Sequence, residues 1–61
     1  MEQISREKAE ELFQNKQPVE TKIEQTPNEL KLFFSLSPKQ SLLVIYDTIN
    51  HIESFYIDQE E

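Results

Sequence analysis

The alternation of apolar and polar side chains after Pro18 is the feature that most constrains the fold of this chain. In residues 19–24, Val, Thr and Ile alternate with Glu, Lys and Glu. In residues 30–36, Leu and Phe at the even positions alternate with Lys, Phe and Ser at the odd positions. A period of two is typical of a strand that packs one of its faces against the core and exposes the other to solvent. With residues 25–28, Gln-Thr-Pro-Asn, as the turn, the two segments predict an antiparallel hairpin.

The segment before Pro18 has the pattern of a helix. Ser5 is suited to the N-cap, and Ile4 is placed to pack against Ala9 as a hydrophobic staple. Pro18 ends the helix, which we expect over roughly residues 5–16. Its apolar stripe is narrow, so the helix can lie on a sheet but cannot be surrounded by other elements. The stripe comprises Ile4, Ala9, Leu12 and Phe13.

Residues 38–57 are compatible with two structures. As a helix, the segment would begin at Ser37-Pro38-Lys39-Gln40, a capped start with proline in the first turn. One helical face would then hold Leu42, Ile45, Tyr46, Ile49, Ile52 and Tyr56. As strands, residues 42–46 and 52–57 would flank a connection at residues 48–51. The β-branched and aromatic content favours the second structure, a hairpin.

These segments predict an α+β fold in a single small domain, residues 1–61. An N-terminal helix is followed by an antiparallel β-meander of three to four strands, and the alternative is an α-β-β-α arrangement. We expect residues 58–61 to form a frayed acidic tail. Because the chain has no glycine, any turn that needs a positive φ angle is expected to fall to Asn28 or Asn50.

Composition excludes several kinds of site. Without cysteine there is no disulfide, thiolate zinc site or cysteine nucleophile, and without glycine there is no phosphate-binding loop of the Walker or dinucleotide type. One histidine is too few for a histidine-based zinc site. No segment approaches the ~18 apolar residues of a membrane span, and no apolar leader follows Met1. We therefore expect a cytoplasmic protein that is not an enzyme, with no catalytic residues, no metal and no cofactor.

Charge narrows the choice of partner. Twelve acidic and six basic side chains give a formal net charge of −6, which disfavours direct binding to phosphate backbones. No Lys or Arg follows Lys39, so the C-terminal third is locally negative. An acidic surface of this kind either maintains solubility or attracts a basic partner. We expect a protein partner, and neither nucleic acid nor a membrane as a direct one.

The hairpin leaves apolar side chains on both of its faces. A four-residue loop would set the pairs of one face, which are Tyr46 with Glu53, Val44 with Phe55 and Leu42 with Ile57. The other face would carry Leu43, Ile45, Ile52 and Tyr56. Since one narrow helix covers only one face of a sheet, an apolar remainder that includes several of Phe33, Leu43, Ile45 and Tyr56 would be uncovered.

The resulting prediction is a small protein-interaction module, acting as an inhibitor, an adaptor or a homodimeric accessory protein. It would bind through an apolar and aromatic sheet face, because aromatic side chains bury a large area with few rotatable bonds. The candidate binding residues are Phe33, Tyr46, Glu53 and Tyr56.

An acidic nucleic-acid mimic is the alternative function. Such a protein blocks the basic groove of a DNA- or RNA-binding protein by presenting carboxylates in place of phosphates. The candidate carboxylates are Glu20, Glu24, Glu53, Asp58, Glu60 and Glu61.

Overall fold

The computed structural model describes residues 1–59, which form one helix and a five-stranded antiparallel sheet. In chain order the elements are β1 (Glu2–Ile4), α1 (Arg6–Lys16), β2 (Val19–Gln25), β3 (Glu29–Ser37), β4 (Gln40–Asp47) and β5 (Ile52–Gln59). The strand order in the sheet is β1-β5-β4-β3-β2. The predicted α+β class, with an N-terminal helix before an antiparallel meander, is confirmed. The α-β-β-α alternative is wrong, because residues 40–59 form the hairpin β4–β5.

The register of this hairpin is the predicted one. Tyr46 lies opposite Glu53, and the two pairs below it follow in step, Val44 with Phe55 and Leu42 with Ile57. The loop has four residues, 48–51, and its backbone is closed by a hydrogen bond of 2.8 Å from the His51 N–H to the Asp47 carbonyl. A short loop allows few registers, so the alternation of apolar side chains can select one.

The sheet has five strands, whereas the sequence predicts three to four. The additional strand forms because residues 2–4 pair with the other end of the chain. In β1, Gln3 lies opposite Tyr56 of β5. A three-residue strand shows no alternation of its own, so its sequence carries no signal for it. At the other end, Asp58 and Gln59, expected in a frayed tail, belong to β5. The remaining tail residues, Glu60 and Glu61, lie outside the described residues.

Helix α1 begins and ends where the sequence indicates. The Ser5 hydroxyl oxygen accepts a hydrogen bond of 3.2 Å from the backbone N–H of Lys8, as an N-cap serine does. Gln17 follows the helix with a φ of 46°, in the left-handed conformation that usually falls to glycine at this position. Pro18 then prevents any continuation of the helix.

The expected positions of positive φ are wrong. In residues 1–59 such angles occur at Gln17 and at His51, where φ is 57°, and not at Asn28 or Asn50. Each of the two residues follows a helical or helix-like turn and redirects the backbone into the next segment. The residue that leaves the turn therefore takes the left-handed conformation, whatever its side chain.

The core lies between the helix and one face of the sheet, here called the helix-bearing face. Its buried residues are Ala9 and Leu12 of α1 and Leu42 and Val44 of β4. At its edge, the rings of Phe13 and Phe34 meet edge-to-face with centroids 4.9 Å apart. The opposite side of the sheet, here called the open face, faces away from α1.

A β-bulge changes the predicted alternation of β2. The register shifts between Glu20 and Lys22, which leaves Thr21 as the extra residue. Val19 consequently lies opposite Ser35 on the open face, whereas Ile23 lies opposite Leu32 on the helix-bearing face. The alternation in the sequence predicts Val19, Thr21 and Ile23 on one side of the strand, and the bulge overturns this prediction.

Candidate functional site

A cluster of apolar side chains occupies the centre of the open face. Phe33, Leu43 and Tyr56 lie opposite one another on β3, β4 and β5, so they form a row across three adjacent strands. Ile45 and Ile52 lie on the same face, nearer the β4–β5 loop. We call these five residues the apolar cluster. Successive residues of a strand point to opposite faces, so the odd-numbered residues of β4 face away from the core residues Leu42 and Val44 and contribute to the cluster.

In residues 1–59, α1 is the one element outside the sheet, and it lies on the other face. The cluster therefore has no covering layer within the described part of the chain. Ile52 is 57% exposed, and the other four members are half-buried by their neighbours in the sheet. A contiguous apolar patch of this kind, bordered by polar groups, is typical of an interaction site.

Charged side chains border the cluster and pair with one another. The Lys22 ammonium lies 5.7 Å from the centroid of the Phe33 ring and 2.7 Å from a carboxylate oxygen of Glu24. The hydrogen bond from Lys22 holds the pKa of Glu24 below its ordinary value of 4.5. Beside it, Lys31 lies 3.4 Å from Glu29. Such rim charges orient a partner and steer its approach more than they strengthen the complex.

The four predicted binding residues are divided between the two faces. Phe33 and Tyr56 belong to the apolar cluster, with Leu43 between them. Tyr46 and Glu53 lie opposite each other on the helix-bearing face. There the Tyr46 hydroxyl is 2.9 Å from Nδ1 of His51, and a Glu53 carboxylate oxygen is 3.8 Å from the Arg6 guanidinium. One partner on the open face therefore meets only half of the predicted set.

Sequence reasoning did not select the aliphatic members of the cluster as binding residues. The hairpin pattern predicts Leu43, Ile45 and Ile52 on the same face as Tyr56, but a preference for aromatic side chains leaves these three residues out of the predicted binding set. Position in the strand register was the better signal, because it specifies which side chains lie next to Phe33 and Tyr56.

The loops at one end of the sheet are held together by Asp47. Its Oδ1 atom accepts hydrogen bonds from the backbone N–H groups of Ile49 and Asn50, at 2.9 and 3.0 Å, and its Oδ2 atom accepts one from the Asn50 side chain. These bonds, led by that of the Asn50 amide, lower the pKa of Asp47. Thr48 then joins this loop to the β2–β3 turn, because its hydroxyl donates to the Pro27 carbonyl at 3.0 Å.

The carboxylates suggested for nucleic-acid mimicry do not form one row in the described chain. Glu20 and Glu53 lie on the helix-bearing face, on strands separated by two others, whereas Glu24 and Asp58 lie on the open face. Asp58 is 4.0 Å from the amino group of Met1. Glu60 and Glu61 lie outside the described residues.

Other candidate sites are few within residues 1–59. No three His, Asp or Glu side chains in this part of the chain are arranged to hold a metal ion, and none of its helices has the length and apolar character needed to cross a membrane. A concavity of about 120 Å³ lies at the β3–β4 turn. Its lining consists of Ser35, Ser37, Pro38, Lys39, Gln40 and Ser41.

Comparisons of the chain with protein-family models, curated proteins and solved structures found no match.

Proposed function

We propose that this protein is a non-enzymatic cytoplasmic interaction module that binds another protein through the open face of its sheet. The observation that supports this function is the row formed by Phe33, Leu43 and Tyr56, which lies in the middle of a sheet face that α1 does not cover. Fully burying a side chain of this size contributes about 1.5–3 kcal/mol relative to leaving it exposed. Because most of the cluster is already half-buried, a partner that completes its burial gains a fraction of this free energy from each of the side chains.

The dimensions of the face set the kind of complex. Four strands of seven to nine residues and one of three residues, about 4.8 Å apart, cover on the order of 550 Å². A standard interface uses about 800 Å² of each partner. The open face is therefore of the size expected for a reversible regulatory complex, such as that of an inhibitor or adaptor, rather than for a permanent assembly.

Phe33 and Tyr56 are the anchors of the proposed interface, with Leu43 between them. Large aromatic side chains near the centre of a patch carry a disproportionate share of binding energy, because their neighbours keep water away from them. Lys22 and Lys31 at the rim then select the orientation of the partner. Tyr46 and Glu53 contact His51 and Arg6 on the opposite face, so they serve as controls.

Site-specific photo-crosslinking in the host lysate tests the face directly. A benzophenone amino acid in place of Tyr56 should form a discrete protein adduct, and the same group in place of Glu53 should not. The captured protein is then identified by mass spectrometry and purified. Adducts from position 53 alone, or from neither position, would contradict the proposed surface.

The energetic test replaces Phe33 and Tyr56 together by threonine, which keeps β-propensity but removes the apolar area. We expect affinity for the captured partner to fall at least tenfold, since anchor residues often contribute about 2 kcal/mol or more. Glu53→Gln is the matched control and should leave affinity unchanged. The mimicry alternative predicts a different result. The double substitution would then leave affinity unchanged, whereas added salt or neutralisation of the acidic residues would weaken binding steeply.

A further inference from the structure

The two edges of the sheet differ in their capacity to accept another strand. β1 has three residues, whereas β2 has seven, Val19–Gln25. All but one residue of β2 are exposed, and the apolar Val19 and Ile23 are 66% and 55% exposed. An edge strand presents a row of unpaired backbone N–H and C=O groups. β2 is therefore the longer template for an added strand.

The turn that follows β2 indicates which of its backbone groups point away from the sheet. Thr26 and Glu29 exchange two backbone hydrogen bonds, with N···O distances of 2.9 and 3.4 Å. In an antiparallel pair, hydrogen-bonded positions alternate with positions whose backbone groups point outward. Glu24 and Lys22 thus direct their backbone groups toward β3, and Ile23 directs its N–H and C=O away from the sheet.

We propose that β2 pairs antiparallel with β2 of a second copy of this chain, about a two-fold axis at Ile23. The two Ile23 residues then exchange backbone hydrogen bonds across the axis. Lys22 of each copy lies opposite Glu24 of the other, and the two sheets become one of ten strands. A two-fold interface of this kind is closed, because each copy uses its single long edge.

Charge favours this register over its neighbours. With the axis at residue 22, Lys22 would face its own copy and Glu20 would face Glu24. With the axis at residue 24, Glu24 would face its own copy. Like charges directly opposite each other in a sheet are destabilising, whereas opposite charges are stabilising. An axis at Thr21 would pair Glu20 with Lys22, but it would centre the contact on the bulge, where the ladder is interrupted.

The proposed contact also buries apolar surface. The Ile23 side chains lie on the helix-bearing face, where the two copies meet at the axis. On the open face, the Lys22–Glu24 pair of each copy, 2.7 Å apart, becomes a ring of four alternating charges. Seven residues per copy bury less than the roughly 800 Å² per partner of a standard interface, so the dimer should form reversibly with concentration.

Charge reversal tests the register in the full chain by sedimentation equilibrium over a range of concentrations. Lys22→Glu or Glu24→Lys alone should weaken the dimer at least tenfold, because each sets like charges opposite each other. The double variant K22E/E24K should restore it, and so should an equimolar mixture of the two single variants. If net charge alone governed dimerisation, the two single variants would have opposite effects, because Lys22→Glu makes the chain more negative and Glu24→Lys makes it less negative.

Three results would overturn the proposal. One is a chain that stays monomeric at every concentration. Another is a dimer weakened by Lys22→Glu but neither weakened by Glu24→Lys nor restored in the double variant, which would indicate the axis at Thr21. The third is a dimer insensitive to both charges but lost when Phe33 and Tyr56 are replaced by threonine, which would place the contact on the open face. The edge dimer depends on the backbone of β2 and on the pairing of Lys22 with Glu24, whereas partner binding is anchored by Phe33 and Tyr56. Lys22 lies at the rim of both contacts, but the anchors differ, so either proposal can fail alone.

Discussion

Gln17 and His51 carry the left-handed backbone conformations of the described chain, with φ angles of 46° and 57°. A side chain with a Cβ atom clashes with the following carbonyl oxygen in this conformation, and glycine does not. The chain contains no glycine, so both positions retain a small unfavourable energy. His51 offsets part of it through the contact of its Nδ1 with the Tyr46 hydroxyl, whereas Gln17 lies at the exposed end of α1.

Gln17→Gly should therefore stabilise the protein. We expect the free energy of unfolding to rise by about 0.5–1 kcal/mol, because glycine removes a Cβ clash of about 1–2 kcal/mol at the helix C-cap and offsets part of that gain by its greater freedom in the unfolded chain. Urea denaturation followed by circular dichroism measures the change. Gln17→Ala is the control, since it shortens the side chain but keeps Cβ. An equal gain from alanine would show that the side chain, and not the backbone angle, is responsible.

The β4–β5 hairpin depends on the carboxylate of Asp47, which organises the loop through backbone and side-chain donors. The same loop is tied to the β2–β3 turn by Thr48, whose N–H donates to the Asn28 carbonyl at 3.1 Å. Two connections that are distant in sequence thus support each other at one end of the sheet. The ionised form of Asp47 is the one that accepts these bonds.

Acid should weaken the fold through this residue. The pKa of Asp47 in the folded state is lowered from 3.8, so its contribution to stability is present above that value and is lost as the pH falls through the lower, folded pKa. Thermal unfolding of the wild type and of Asp47→Asn, from neutral pH to well below 3.8, checks this. The difference in melting temperature between the two proteins should shrink at acid pH. A constant difference would show that ionisation of Asp47 plays no part.

The molecule as a whole has a small core and a large exposed sheet. Its buried apolar residues are Ala9, Leu12, Leu42 and Val44, and a core of this size rarely contributes more than ~3–5 kcal/mol net. The neighbouring residues Leu42 and Leu43 point to opposite faces of β4. The two leucines are adjacent in the sequence, but Leu42 lies in the core and Leu43 lies on the open face, so substitutions at the two positions can be compared directly.

Leu42→Ala should unfold most of the protein, because deleting a buried leucine costs about 2–5 kcal/mol, which is comparable to the total stability. Leu43→Ala should leave the fold in place and instead weaken binding at the open face. Circular dichroism and two-dimensional NMR spectra of both variants measure the effect. Equal loss of structure in the two would mean that the open face is part of the core and not a surface for a partner.

Local sequence signals determined α1 and the β4–β5 hairpin with its register. Ser5 and Pro18 limit the helix by satisfying or removing backbone donors within a few residues of themselves. In the hairpin, a four-residue loop and the alternation of Leu42 and Val44 with their neighbours leave one register that buries the apolar side chains together. Both results depend on groups that are close along the chain.

The tertiary structure alone decided the features that join distant segments. β1 exists because Gln3 meets Tyr56 from the opposite end of the chain, and three residues hold no pattern of their own. The bulge at Thr21 reverses the expected alternation of β2, because its register follows the pairing with β3. The hairpin register by itself separates Tyr46 and Glu53 from Tyr56. Which of the two faces stays uncovered, however, depends on where the helix packs, and the energy of that packing is shared among all the elements that the helix touches.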